Sequence, residues 1–82
     1  MKQIIYFSAE WCGPCKNFKP IMESVSASIP VQFVDVDENP QLSAQYNIRS
    51  IPTLIFLKDG QEVNKKPGVL SESQVKEIWN QI

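Results

Sequence analysis

The stretch Trp11-Cys12-Gly13-Pro14-Cys15 holds the only two cysteines of the 82-residue chain, and the segments flanking it decide the fold. Upstream, Gln3-Ile4-Ile5-Tyr6-Phe7 is β-branched and aromatic, with apolar side chains at consecutive positions. That is the pattern of a strand buried on both faces. Downstream, Phe18, Ile21, Met22 and Val25 fall at i, i+3, i+4 and i+7. This spacing predicts the buried face of a helix running from about Pro14 to Ser28. Pro20 lies inside that helix and is expected to kink it, and Ile29-Pro30 to end it. The cysteines therefore stand where a strand gives way to a helix. Their spacing puts both thiols at the mouth of one turn, where they can pass between dithiol and disulfide without a cofactor.

Working outward, Val31-Gln32-Phe33-Val34-Asp35-Val36 reads as a second strand. Strand, helix and strand at this spacing form a βαβ unit, so the two strands are expected to run parallel. Asn39 and Pro40 mark a helix start, as N-cap and first helical residue. This short helix should reach about Tyr46 and turn Leu42 and Tyr46 inward. Thr53 to Lys58 is a third strand, and Asp59-Gly60 is a two-residue hairpin signal. Gln61 to Lys66 should then return antiparallel, before Pro67-Gly68 breaks the chain. Ser71-Glu72-Ser73-Gln74 has the form of a capping box. It opens a last helix with Val75, Ile78, Trp79 and Ile82 on one face. The expected order is β-α-β-α-β-β-α, an α/β fold in one domain spanning residues 1–82.

Composition removes several function classes. The formal net charge is −1, with acids and bases interspersed, so no basic stripe is available to neutralise phosphates and nucleic-acid binding is not expected. No apolar run approaches the ~20 residues that span a bilayer. The chain contains no histidine, and two thiolates cannot complete a four-ligand zinc site, so no metal is expected. No signal peptide precedes the first strand pattern, which makes a reducing cytoplasm the expected compartment. There a cysteine pair is expected to be chemical rather than a staple.

The residue types of the motif fit thiol chemistry. A cysteine at a helix N-terminus faces unpaired N–H groups and the positive end of the macrodipole, and both favour its thiolate. Cys12 comes first, is expected to be exposed, and reads as the nucleophile. Cys15, one turn in and more buried, should resolve the mixed disulfide. Gly13 lets a target backbone approach. Pro14 sits where its missing N–H costs nothing. Trp11, Gly13 and Pro14 adjoin Cys12 in sequence and, with Ile51, Gly68 and Val69 brought near by the family resemblance that follows, are expected to ring it as an apolar docking patch, although Trp11 could instead pack its ring over the loop. Trp79 reads as core. Asp35, Asp37 and Glu38 read as a solvated strand end and helix start rather than a cation site. Lys65-Lys66 reads as exposed charge on an edge strand.

Trp11-Cys12-Gly13-Pro14-Cys15-Lys16 resembles the signature of the thioredoxin family. The resemblance extends through Asp35-Val36-Asp37-Glu38-Asn39-Pro40, Tyr46-Asn47-Ile48-Arg49-Ser50-Ile51-Pro52-Thr53, Lys58-Asp59-Gly60 and Gly68, nearly the whole chain. It implies a minimal thioredoxin fold: a four-stranded mixed sheet in the order 2-1-3-4, counting strands along the chain, with helices on both faces. It implies a cis Ile51-Pro52 bond lying against the cysteines, with Pro52 backbone pairing to an extended target peptide as an added strand would. It also implies a reducing bias for the Gly-Pro pair, no cofactor beyond a Cys12–Cys15 redox-active disulfide, protein disulfides as substrates, and a thioredoxin reductase as the source of electrons. A monomer is expected.

Three departures from the family pattern stand out. The family's additional first strand and helix are not found in this sequence, which leaves the Val31–Val36 strand at a sheet edge. The family's buried aspartate and its lysine partner fall at Tyr6 and Phe33. A tryptophan common before the motif is Ser8. The expected function is that of a protein-disulfide reductase. A glutaredoxin-like electron donor, for instance to ribonucleotide reductase, and a non-catalytic subunit of a larger complex are the alternatives.

Overall fold

The run Ile4-Ile5-Tyr6-Phe7 is buried on both faces because it becomes a central strand. The computed structural model describes all residues, Met1–Ile82. Its elements are β1 (Lys2–Ser8), α1 (Gly13–Ser26), β2 (Val31–Asp35), α2 (Pro40–Gln45), β3 (Thr53–Lys58), β4 (Gln61–Pro67) and α3 (Glu72–Gln81). The sheet order is β2-β1-β3-β4, as expected. β1 runs parallel to β2, placing Tyr6 opposite Phe33, and antiparallel to β3, placing Ile5 opposite Ile55. Successive residues of β1 point to opposite faces, so each face receives its own apolar set.

One face carries a cluster of nine buried residues, built by Ile4, Tyr6, Leu54 and Phe56 of the sheet and by Phe18, Met22 and Val25 of α1, with Ile29 and Val75. Ile21, Ile78, Trp79 and Ile82 close it, so the apolar faces read for α1 and α3 are the ones that pack. Burying each large apolar side chain contributes about 1.5–3 kcal/mol against the entropy of ordering it. The opposite face holds five buried residues, Ile5, Phe7, Val34, Ile55 and Leu57, with Leu42 and Tyr46 packed over them.

Turns and caps follow local chemistry. Asp59 and Gly60 adopt φ of 53° and 83°, the left-handed pair that a two-residue hairpin turn demands. The Ser71 hydroxyl accepts the Gln74 N–H, and the Gln74 side chain accepts the Ser71 N–H, so the capping box is complete. A register shift between β3 and β4 leaves Val63 without a partner and exposed.

Several expectations are corrected. α1 ends at Ser26 rather than Ser28, because Ala27, Ser28 and Ile29 fold back in a turn onto the Ser24 and Val25 carbonyls. It passes through Pro20 without interruption; Lys16 and Pro20 are both exposed, so the carbonyl that loses its donor lies on the water side. Asn39 precedes α2 but makes no side-chain cap; its amide donates to the Asp35 carbonyl instead. Pro67 belongs to β4, paired with Thr53, and does not end it early. Lys65 is no free edge charge. It is half-buried, and its Nζ donates to the Tyr46 carbonyl at the C-terminus of α2, 2.8 Å away. Lys2 does the same at the end of α3, 2.7 Å from the Trp79 carbonyl and 4.8 Å over the Trp79 ring. Neither helix has a basic residue in its own last turn.

Candidate active site

β1 delivers the chain to the C-terminal edge of the sheet, and Ala9, Glu10 and Trp11 turn it into α1. Cys12 is the N-cap of that helix, with extended φ and ψ of −84° and 111°. Its Sγ accepts the Cys15 N–H at 3.2 Å, standing where a serine or aspartate oxygen would stand in an ordinary cap. Pro14 occupies the first turn, where no donor is lost, and no acidic residue opposes the positive helix end. Cys12 and Cys15 are joined as a disulfide, with Cα atoms 5.3 Å apart. The sequence expectation of an exposed Cys12 is not met: it is 4% exposed and Cys15 3%. The cap position tucks the first cysteine inward, into a small cluster with Ala9, Val36 and Ile51.

The other expected residues distribute around this cluster. Gly13 and Pro14 are exposed at the helix start, and a side-chain carbon at Gly13 would meet nothing, so the surface there is open. The Ile51-Pro52 bond is cis, and Ile51 packs against the cysteines while Pro52 is buried. Gly68, at a φ of 89°, donates its N–H to the Pro52 carbonyl at 2.8 Å. The positive φ suits glycine there. Trp11 does not lie down over the loop. It is 69% exposed, held by its Nε1–H donating to the Asp37 carboxylate at 2.7 Å. Trp11, Val36, Ile48, Arg49 and Ile51 line one groove beside the disulfide. Val69 is half-exposed, next in sequence to Gly68. No group of histidine, cysteine, aspartate and glutamate side chains here has the arrangement of a metal site.

Val36 and Asp37 were not singled out as site residues by the sequence reading. Their signal lay in topology: the C-terminal end of a strand parallel to β1 must emerge beside the motif. Tyr6 stands where the family commonly has an aspartate. It is buried, its ring meets Phe18 and Phe33 edge-on, and its hydroxyl donates to the Cys15 carbonyl at 3.1 Å. Burial raises its pKa above the ordinary 10.0.

Two sulfurs joined across the first turn of a helix can accept two electrons, open to a dithiol and close again. Comparison with known proteins agrees. The family model "Thioredoxin" matches residues 1–81. A thioredoxin of Chlamydia trachomatis serovar D is 46% identical over 69 residues, covering 80% of this chain and 68% of that protein. A thioredoxin of Chlamydia caviae is 42% identical over 81 residues, covering 95% of this chain and 79% of that protein. The structure of a mutant thioredoxin from Halobacterium salinarum superposes with a TM-score of 0.92 at 33% identity, covering 98% of this chain and 73% of that one. On sequence, architecture and the cysteine pair together, this chain belongs to the thioredoxin family and is a thiol–disulfide oxidoreductase.

Proposed function

We propose that the chain, as one domain, reduces disulfides in protein substrates, and that a thioredoxin-type reductase restores its dithiol. The observation that carries this reading is the hydrogen bond from the Cys15 N–H to the Cys12 sulfur at the N-terminus of α1. Once the disulfide is opened, that N–H and the positive helix end favour a thiolate on Cys12. The thiolate attacks one sulfur of the target disulfide, forms a mixed disulfide and releases the first target thiolate. Cys15 then attacks Cys12, releases the second target thiolate and closes the ring. Trp11, Gly13, Pro14, Ile51, Pro52 and Gly68 form the docking surface, where an extended target segment lies along Pro52. A monomer in the cytoplasm fits this role, and no helix is long and apolar enough to cross a membrane.

Turnover of a disulfide-bonded protein by the wild type, Cys12→Ser and Cys15→Ser tests the assignment. Cys12→Ser should lose about a thousandfold or more, as removal of a nucleophile does. Cys15→Ser should accumulate a mixed disulfide on Cys12 that mass spectrometry detects. Full turnover by Cys12→Ser defeats the reading. Recharging by glutathione faster than by a flavin reductase with NADPH would instead favour a glutaredoxin-like donor.

A further inference from the structure

Resolution of the mixed disulfide needs Cys15 as a thiolate, so its proton has to leave. Tyr6 does not take it. Its hydroxyl is committed as a donor to the Cys15 carbonyl, and burial keeps it protonated beyond the ordinary range. Cys15 nevertheless lines a pocket of about 450 Å³ that opens between α1 and the exposed edge of β2. That is room for several waters. Tyr6, Phe33 and Val34 make its apolar wall, and the charged groups facing it are Glu10, Lys16, Lys19 and Asp35. Phe33, in that wall, is 44% exposed, so the pocket reaches the surface at the β2 edge.

Of the two carboxylates, Asp35 is the anchored one. Strand pairing opposite Ser8 fixes its backbone. Its Oδ1 accepts the Asp37 N–H at 2.8 Å and the Glu38 N–H at 3.4 Å, and no protein donor bonds Oδ2. Glu10 is exposed on the loop. We propose that this pocket is the proton port of the second half-reaction, with Asp35 Oδ2 accepting the Cys15 proton through pocket water. The proposal rests on the dithiol reading above. In the step, the Cys15 S–H proton passes by water to Asp35; the Cys15 thiolate bonds to Cys12; the Cys12–target S–S bond breaks; the departing target thiolate keeps the electron pair and is protonated from solvent. Asp35 returns its proton to water. Asp35 thereby positions and relays, and does not touch the reacting sulfurs.

The test uses the reduced full chain and an aromatic disulfide whose thiolate absorbs when released, in single turnover. The first release reports Cys12 and the second reports Cys15. Asp35→Asn keeps an oxygen for the Asp37 and Glu38 N–H groups, so the turn is retained. Its first release should match wild type within about twofold, while its second slows roughly tenfold or more near pH ~6.5, as loss of a general base does. The difference should vanish above pH ~9, where a thiol ionises unaided. The sign is diagnostic. If Asp35 acted only as a charge, removing it would leave Lys16 and Lys19 dominant, favour the Cys15 thiolate and speed the second release. An unchanged or faster second release in Asp35→Asn overturns the proposal, as does a slowing found in Glu10→Gln instead. A wild-type solvent-deuterium effect of about twofold or more on the second release, lost at high pH, is the supporting result in the unmutated protein, and its absence overturns the relay. Loss of the first release in the wild type would sink the dithiol reading itself, a distinct failure.

Discussion

On one face of the sheet, α1 and α3 supply four of a cluster of nine buried residues; on the other, the six-residue α2 lies over five and buries none of its own. The difference bears on function. The cysteine cluster shares Val36 and Ile51 with the thin face, so the site is a continuation of the lighter core. The heavier face anchors α1 through buried Phe18, Met22 and Val25, and so places the helix end that Cys12 caps. Groups that must let a substrate in and out belong on the side that opens at lower cost. The sulfurs thus sit between the helix end anchored in the larger cluster and the edge of the smaller one.

The largest expected effect tests that asymmetry. Phe18→Ala should cost about 3–5 kcal/mol, a large share of a small domain's stability. Leu42→Ala, on the half-buried face of α2, should cost about 1 kcal/mol. Urea midpoints compare them, and equal losses would break the contrast. Next comes Lys65→Met, which keeps the aliphatic stem and removes the cation from the end of α2. About 1–2 kcal/mol should be lost, with faster amide exchange in α2 and none in α3. Ser71→Ala should mirror it at about 1 kcal/mol, with exchange quickened in α3 alone. If either variant loosens both helices, the two faces are not separable. The smallest effect concerns pH. The folded state holds the Tyr6 proton more tightly than the unfolded chain, so that stability is whole below pH ~10 and declines as pH climbs through the raised folded pKa. Tyr6→Phe should show a shallower alkaline decline in matched melts; parallel curves would remove Tyr6 from the account.

What the sequence disclosed, it disclosed where the cause is local. Asp59-Gly60 can only turn one way, the Ser71 box is complete within four residues, and the helical face of Phe18, Met22 and Val25 needs no partner to be recognised. Element order and the parallel pairing of β1 with β2 followed from the same local patterns, while the full strand order came with the family resemblance. The family resemblance added the cis bond at Pro52, which spacing alone would not have indicated. The cover over Cys12 escaped notice because it depends on Val36 and Ile51, which lie in loops far along the chain, just after β2 and just before β3. Lys65 escaped for the same reason: its partner is a carbonyl on another element, 19 residues away. Pairing at a distance leaves no mark in a local window.

The two strand-borne lysines have a chemical consequence. Lys2 and Lys65 each clasp the carbonyl end of a helix that has no cation in its own last turn. Acylating either ammonium would unfasten a helix from its sheet rather than merely dull a surface charge. Amine-directed labels should accordingly spend themselves first on the solvated lysines such as Lys16 and Lys58, and reach these two clasps last.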